Sequence, residues 1–477
     1  MIDTSQCSTQ APNRENNQDE RSPWLPIILS LDGGGVRGLS SLYFLKKIME
    51  MVREEENRLE PDTTKHTQGL PLPCNYFDFM IGTSTGGLIA IMLGRLRMGV
   101  DDCIKQYLVI SQKVFRRCLI PIIQEYSGEM LADAVCKVVK DTCQFYERKN
   151  CTGKHLFRQY DHMERNGNNG TGGQPRSNKI NSTCKVAVTS VRNGGANSHS
   201  SAGSDISYLF RSYDSAPRYD PGEYNPKSLD QSKLLIHEAS RATTAAPAYF
   251  PVLLMRGRRF MDGGVFANNP SEIALNEAMR MCNEPNYSAP SYDGRINHPI
   301  ALVSVGTGGS KGYNRFSWSG LFRAMRQRLT DAEPTHESVR KICANSKKTE
   351  YFRFNVMGET RNANGLNIGL AECKRKKIES RHCWAKGEEV LNTQLEKDAD
   401  EDVRGGYRPT KYHYTTFNKI RVETEAQFTK PYDQEGEQIT NDKLKECAKL
   451  LVTYSRKRRE NDLERWEAFR RHPHLNH

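Results

Sequence analysis

The sequence predicts an α/β fold built on a mainly parallel sheet. Apolar, strand-like runs recur along the chain, and the first two end in glycine-rich turns. Each of those turns opens a stretch with helical spacing, giving two strand–turn–helix units in succession. Both turns lie where parallel strands would present their carboxyl ends, the edge at which such sheets gather their sites.

Residues 1–23 are polar, rich in Asn, Gln and Ser, and read as a disordered tail. Leu25 to Leu31 (LPIILSL) reads as a buried strand, followed by the loop Asp32-Gly33-Gly34-Gly35-Val36-Arg37-Gly38. Helical spacing runs from Leu39 to about Arg58. Tyr76 to Ile81 is the next strand, Gly82-Thr83-Ser84-Thr85-Gly86 the second turn, and an apolar helix follows from Gly87 to about Arg97. Helices are expected from Asp101 to about Phe115 and from Gly128 to Lys140. Gly/Asn/Ser-rich inserts at 164–180 and 193–205 read as flexible loops. Cys184 to Val191 and Ser207 to Tyr213 read as neighbouring strands whose connecting loop has grown. Leu234 to Ala246 is helical and rich in small residues, and Arg258 to Met261 is a short strand leading into Asp262-Gly263-Gly264. Asn269 and Pro270 read as N-cap and first residue of a further helix. Ile300 to Val305 is a buried strand ended by a glycine turn, and Glu350 to Val356 alternates like a half-exposed strand. Helices are expected over Ala385–Lys397 and over Asp442–Phe469, within a basic, mainly helical extension spanning 357–477.

The chain has 477 residues, 37% of them hydrophobic, and no run approaches the roughly 18 apolar residues of a membrane span. With no signal-peptide pattern at the N-terminus, the expectation is a cytoplasmic protein or one peripheral on intracellular membranes. Thirteen scattered cysteines with no Cys-x-x-Cys pair suggest neither a disulfide framework nor a zinc site, so no metal is expected. The net charge is +12, and basic clusters stand at Lys374-Arg375-Lys376-Lys377 and Arg456-Lys457-Arg458-Arg459. These clusters read as solvated helix faces, or as contacts for an anionic membrane surface, a nuclear-targeting signal or nucleic acid. No RNP, zinc-finger or basic-zipper pattern accompanies them, so no nucleic-acid partner is expected. Oligomeric state is not legible.

The glycine turns carry the chemistry. Ser84, flanked by Gly82 and Gly86, fits a nucleophile elbow, where a strained strand-to-helix turn needs small neighbours. Gly33-Gly34-Gly35 can present backbone N–H groups to a developing oxyanion at a helix N-terminus. The same loop formally matches Gly-x-Gly-x-x-Gly, but the acidic partner of a dinucleotide site is missing; Glu54, Glu55 and Glu56 lie in a helical run instead. Arg37 is read either as a brace for the loop or as a contact for a lipid headgroup. A base is then needed. No histidine sits on an evident strand-end loop, and His237 lies within a helical run. Asp262 ends a strand, with Gly263-Gly264 allowing a tight turn, and burial would raise its pKa towards that of a useful base. Asp32 is the rival carboxylate, expected to hold the loop's backbone.

Together, the Asp-Gly-Gly-Gly-x-Arg-Gly motif at 32–38, Gly-Thr-Ser-Thr-Gly at 82–86 and Asp-Gly-Gly at 262–264 resemble the patatin-like phospholipase family. Phe77-Asp78, the run from Glu238 to Pro247 and Asn268-Asn269-Pro270 add to the resemblance. It implies a three-layer α/β/α sandwich over 24–356 and a Ser–Asp dyad with Ser84 as nucleophile and Asp262 as proton acceptor. It implies an oxyanion or substrate-binding loop of Gly33, Gly34, Gly35, Arg37 and Gly38, with Gly82, Gly86, Gly263 and Gly264 as turn support. It also implies lipid substrates and no cofactor. The expected activity is hydrolysis of phospholipid esters through an acyl-enzyme. A lysophospholipase, a triacylglycerol lipase or a catalytically silent lipid-binding protein of the same fold are the alternatives.

Overall fold

The computed structural model describes residues 24–60, 69–114, 126–143, 151–158, 183–192, 206–213, 231–247, 249–283, 296–308, 332–356, 376–377, 412–413, 415–429 and 440–471. The expected tail over 1–23, the inserts at 164–180 and 193–205 and the helix over 385–397 lie outside the described residues.

One sheet contains β1 (Ile27–Leu31), β2 (Phe79–Thr83), β3 (Lys185–Arg192), β4 (Ile206–Arg211), β5 (Leu253–Met255), β6 (Arg258–Asp262), β7 (Ala301–Val305) and β8 (Glu350–Phe354). The strand order is β5-β6-β3-β2-β1-β7-β8, with β4 also paired to β3. The run from β3 through β2, β1 and β7 to β8 is parallel throughout. In β1, β2 and β7 every residue is buried, as expected of central strands covered on both faces.

The helices are α1 (Gly38–Leu59), α2 (Thr85–Ala90), α3 (Val100–Val114), α4 (Gly128–Thr142), α5 (Ile236–Thr243), α6 (Ser271–Asn283), α7 (Glu333–Ser346), α8 (Thr415–Glu425), α9 (Thr440–Asn461) and α10 (Leu463–Arg470). The pleat of β1 sorts them into layers. Ile27, Leu29 and Leu31 face a core shared with α1, α2 and α3, while Ile28 faces the opposite core with Ala274 and Leu275 of α6 and Val339 of α7. Helices therefore cover both sheet faces, giving the three-layer α/β/α arrangement.

The register of β3 fixes where the site forms. Ser190, Val191 and Arg192 pair antiparallel with both β4 and β6, so those two strands flank β3 on opposite edges. β4 also overlaps β2 along Ala187–Thr189, so β2 and β6 share one edge of β3. They run towards each other: Thr83 pairs with Thr189 and Asp262 with Ser190. Two strands from distant parts of the chain thus meet end to end. Ser190 Oγ reinforces the junction by donating to the carbonyls of Ala242 (3.1 Å) and Met261 (2.8 Å).

Two helical expectations change. The stretch after the elbow is α2 followed by a π-helical turn over Ile91–Arg95. The C-terminal helix is two helices, divided at Asp462, whose side chain accepts from Arg465 N at 3.0 Å and caps α10.

The basic run on α9 is not a free solvated face. Arg456 pairs with Glu56 (2.8 Å) and Glu60 (3.0 Å) of the α1 end, and Arg459 reaches Glu60 at 3.2 Å. Arg458 is buried, donating to Asp78 Oδ2 (2.7 Å) and to the Leu25 carbonyl. Asp78 also accepts from Ile27 N and Trp24 Nε1, and the guanidinium groups of Arg458 and Arg465 lie 4.7 and 4.6 Å from the Trp24 ring centroid. Phe417, Ile420, Leu444 and Leu451 from α8 and α9 enter the same core as α1. No helix among the described residues is long and apolar enough to cross a membrane.

Candidate active site

The elbow begins where β2 stops. Ser84 adopts φ 55° and ψ −123°, a conformation costing on the order of 1–3 kcal/mol in a residue with a side chain. The surrounding backbone holds it there. A Cβ on Gly82 would sit 2.2 Å from the Gly86 backbone, and one on Gly86 would sit 2.4 Å from the Leu31 carbonyl oxygen. Only glycine lets the turn close on itself and on β1. Ser84 N donates to Thr243 Oγ1 of α5 at 2.9 Å, and Leu88 N returns to the Ser84 carbonyl at 3.2 Å.

Asp262 arrives from the opposite direction on β6. Its backbone N–H donates to the Ala245 carbonyl at 2.9 Å. Oδ1 accepts from Gly264 N at 2.7 Å, which closes the Asp-Gly-Gly turn, and the Gly263 carbonyl accepts from Phe266 N and Ala267 N. Oδ2 is buried with no hydrogen-bond partner among the described residues. Burial pushes the carboxyl up to about 7, against the opposing pull of the Ser84 hydroxyl and the Gly264 N–H. The hydroxyl is thus near enough to bias the carboxylate's ionisation, without a closed Ser84–Asp262 hydrogen bond.

Asp32, the rival carboxylate, is already committed. It takes a bidentate ion pair from Arg353 of β8, at 3.0 and 2.7 Å, instead of holding the loop's backbone as expected. Burial raises the Asp32 pKa against the pull of the forked Arg353 guanidinium, and the carboxylate in turn raises the Arg353 pKa.

The glycine loop is braced from three sides. Gly33 N donates to the Asn268 carbonyl at 3.0 Å, and the Gly33 carbonyl accepts from Thr307 Oγ1 at 2.9 Å. The Gly35 carbonyl accepts from the Tyr107 hydroxyl. Arg37 is fully buried beneath the loop, donating to the carbonyls of Gly34 (3.4 Å) and Gly308 (2.8 Å). Burial lowers its pKa to about 10, so it stays cationic at neutral pH. It does not line the cleft, and its contacts are those of a loop brace. Gly38 N is spent on the carbonyls of Gly35 and Val36 as the helix begins. Neither the Gly34 nor the Gly35 N–H donates to another described residue. Of the five loop residues expected to bind, those two expose backbone to the cleft. The glycine turn after β7 supplies Thr307 and Gly308 to this bracing.

Ser84, Asp262, Gly34, Gly35 and Asn268 form the polar end of a cleft. Leu88, Ile110, Val114, Leu131 and Phe250 make its apolar walls. No histidine among the described residues lines it; His237 is half-buried on α5. The arrangement joins a strained serine, a carboxyl that titrates near neutrality, two unspent amide donors and an apolar chamber.

A sequence profile of the patatin-like phospholipases matches residues 29–275, more than half of the chain. The chain belongs to that family. Human calcium-independent phospholipase A2-gamma is 26% identical over 358 residues, covering 74% of this patatin-like chain and 36% of the relative. Phospholipase A I of Arabidopsis thaliana is 23% identical, covering 70% of this chain and 24% of the relative. The cGAMP-activated phospholipase of Vibrio cholerae is 24% identical over 269 residues, covering 53% and 58%. This chain therefore spans about a third of the human relative's length and about a quarter of the plant one's.

Thr243, Asn268, Thr307, Tyr107 and Arg353 were not singled out by the sequence as site residues. Thr243 and Asn268 stand inside segments that carry the resemblance to the patatin-like family, so a signal existed for them. Arg353, 321 residues from Asp32, had none.

Proposed function

We propose that this chain is a serine lipid acyl hydrolase. The observation that carries the reading is the strained Ser84 set beside a buried Asp262 with a pKa near neutrality, at the polar end of an apolar cleft. The Asp262 carboxylate takes the Ser84 hydroxyl proton as Oγ attacks the ester carbonyl. The oxyanion points at the Gly34 and Gly35 amides, with the N-terminus of α1 adding positive potential. Collapse expels the alcohol, which receives the proton from Asp262 and leaves the acyl group on Ser84. Water then attacks the acyl-enzyme, giving its proton to Asp262. The resulting tetrahedral intermediate collapses, returns that proton to Ser84 Oγ and frees the fatty acid.

The family and the names of the relatives support lipid acyl hydrolysis in general. The apolar wall of the cleft suits an acyl chain, and the substrate class we favour is phospholipid presented at a membrane surface. Four exposed apolar side chains, Met130, Val252, Leu254 and Phe266, lie close along the chain to residues that line the cleft. Leu254 is 70% and Phe266 64% exposed, which fits contact with an interface better than with water.

Fatty-acid release from liposomes of mixed phosphatidylcholine, lysophosphatidylcholine and triacylglycerol tests the proposal. The wild-type protein should release fatty acid, and Ser84→Ala should lower the rate by at least about a thousandfold. Release undiminished in Ser84→Ala, or liposome binding without release by the wild type, would overturn it. Which lipid is consumed first decides between phospholipase, lysophospholipase and triacylglycerol lipase.

A further inference from the structure

A second cluster of reactive side chains lies outside the cleft. Cys143, Cys151 and His155 bring one ligand atom each to within 4.8 Å of one another. His155 Nε2 is 3.6 Å from Cys143 Sγ and 3.2 Å from Cys151 Sγ. Both thiols are free and buried. We propose that these three residues bind a zinc ion that staples one wall of the cleft.

The distances suit the ion. Zn–S bonds of about 2.3 Å and Zn–N bonds of about 2.0 Å at a tetrahedral angle set S···N edges of about 3.5 Å. The two observed edges bracket that value. Two thiolates neutralise the dication, so the complex can occupy a buried position without a net charge to desolvate. A nitrogen-and-sulfur donor set excludes magnesium and calcium, which take oxygen ligands. The described residues supply three ligands, which leaves one tetrahedral position for a fourth donor.

The backbone is built to hold the cluster. Cys143 caps the C-terminal end of α4. Cys151 opens a turn in which Gly153 has φ 73° and lies so close to α4 that a Cβ there would sit 2.0 Å from the Cys136 carbonyl oxygen. That close approach sets Cys151 against the helix end. Gly153 N also donates to Cys151 Sγ at 3.4 Å, which orients the sulfur. The spacing, Cys-x7-Cys-x3-His, is invisible to a search for Cys-x-x-Cys, which is why composition alone suggested no site.

The staple would join parts that matter to the cleft. α4 supplies Leu131 to its wall. The segment after His155 bridges Leu156 to Leu235, immediately before α5, which carries Thr243 against Ser84 N. Arg95 fixes the same segment through the carbonyls of Leu156 and Phe157, both at 2.9 Å.

The test uses the full chain, purified without chelators. Zinc is titrated in competition with a chromophoric chelator, and cobalt(II) is added separately to report the ligands by its thiolate charge-transfer band. One equivalent of zinc bound tightly by the wild type, with both the zinc and the cobalt band lost in Cys143→Ser/Cys151→Ser and in His155→Ala, is the expected result. No uptake by wild-type protein would overturn the proposal even if the variants fail to fold. So would equal uptake by the wild type and the double variant, or a Cys143–Cys151 disulfide in freshly purified protein.

Discussion

Replacing Asp262 by Asn should abolish turnover and at the same time stabilise the protein, by an amount that grows with pH. Burial raises this carboxyl from 3.8 in the unfolded chain to about 7 in the folded one. Below the unfolded value both states hold the proton and the group contributes fully to stability. As pH rises from there through the folded value, the unfolded state ionises freely while the folded state must ionise in a buried position, so stability is lost. Each pKa unit is worth about 1.4 kcal/mol, so the cost is about 1.5 kcal/mol at pH 5 and about 4 kcal/mol at pH 8. Asn carries no such cost, and its carbonyl keeps the Gly264 N–H bond that Oδ1 now accepts. The stability of Asp262→Asn relative to wild type should therefore rise by about 2.5 kcal/mol between pH 5 and pH 8. Urea unfolding of both proteins at the two pH values measures this directly. A difference independent of pH, or a variant that loses ground as pH rises, would show that Asp262 is not a carboxyl held neutral by burial.

The same titration governs turnover: kcat/KM should rise about tenfold from pH 6 to pH 8 and then level off, and a profile flat across that window would assign the base elsewhere. Gly34→Ala places a Cβ 2.3 Å from Thr307 Oγ1, shifting the loop, and should lower kcat by about 10²–10³ with a smaller change in KM, as steady-state kinetics would show. Arg458→Met leaves Asp78 buried without its cation and should cost about 3–5 kcal/mol in urea unfolding, while Arg458→Met with Asp78→Asn should recover part of it.

The first half of the fold was legible because its signals are local. β1 and β2 are mostly apolar, fully buried runs, and their turns name themselves by glycine spacing. Those features placed Ser84 and the Gly34–Gly35 backbone at adjacent strand ends, where the structure has them. Asp262 was legible as a strand end, but not the direction of its strand. That β6 runs against β3 and meets β2 head-on follows from long-range register, which no short window encodes. Long-range pairing also explains the misread charges. Asp32 finds Arg353, and the basic run on α9 finds Glu56, Glu60 and Asp78, partners hundreds of residues away. A charge run alone predicts solvent; the acids that turn it inward lie on another element.

The central proposal is that Ser84 carries the acyl group. Treating the full-length protein with a fluorophosphonate probe at pH 8, followed by peptide mass spectrometry, measures it most directly. One adduct per chain is expected, on the peptide containing Ser84, with labelling at least about tenfold slower at pH 6 as Asp262 takes up its proton. Labelling of another residue, or of Ser84→Ala protein at the wild-type rate, would contradict it.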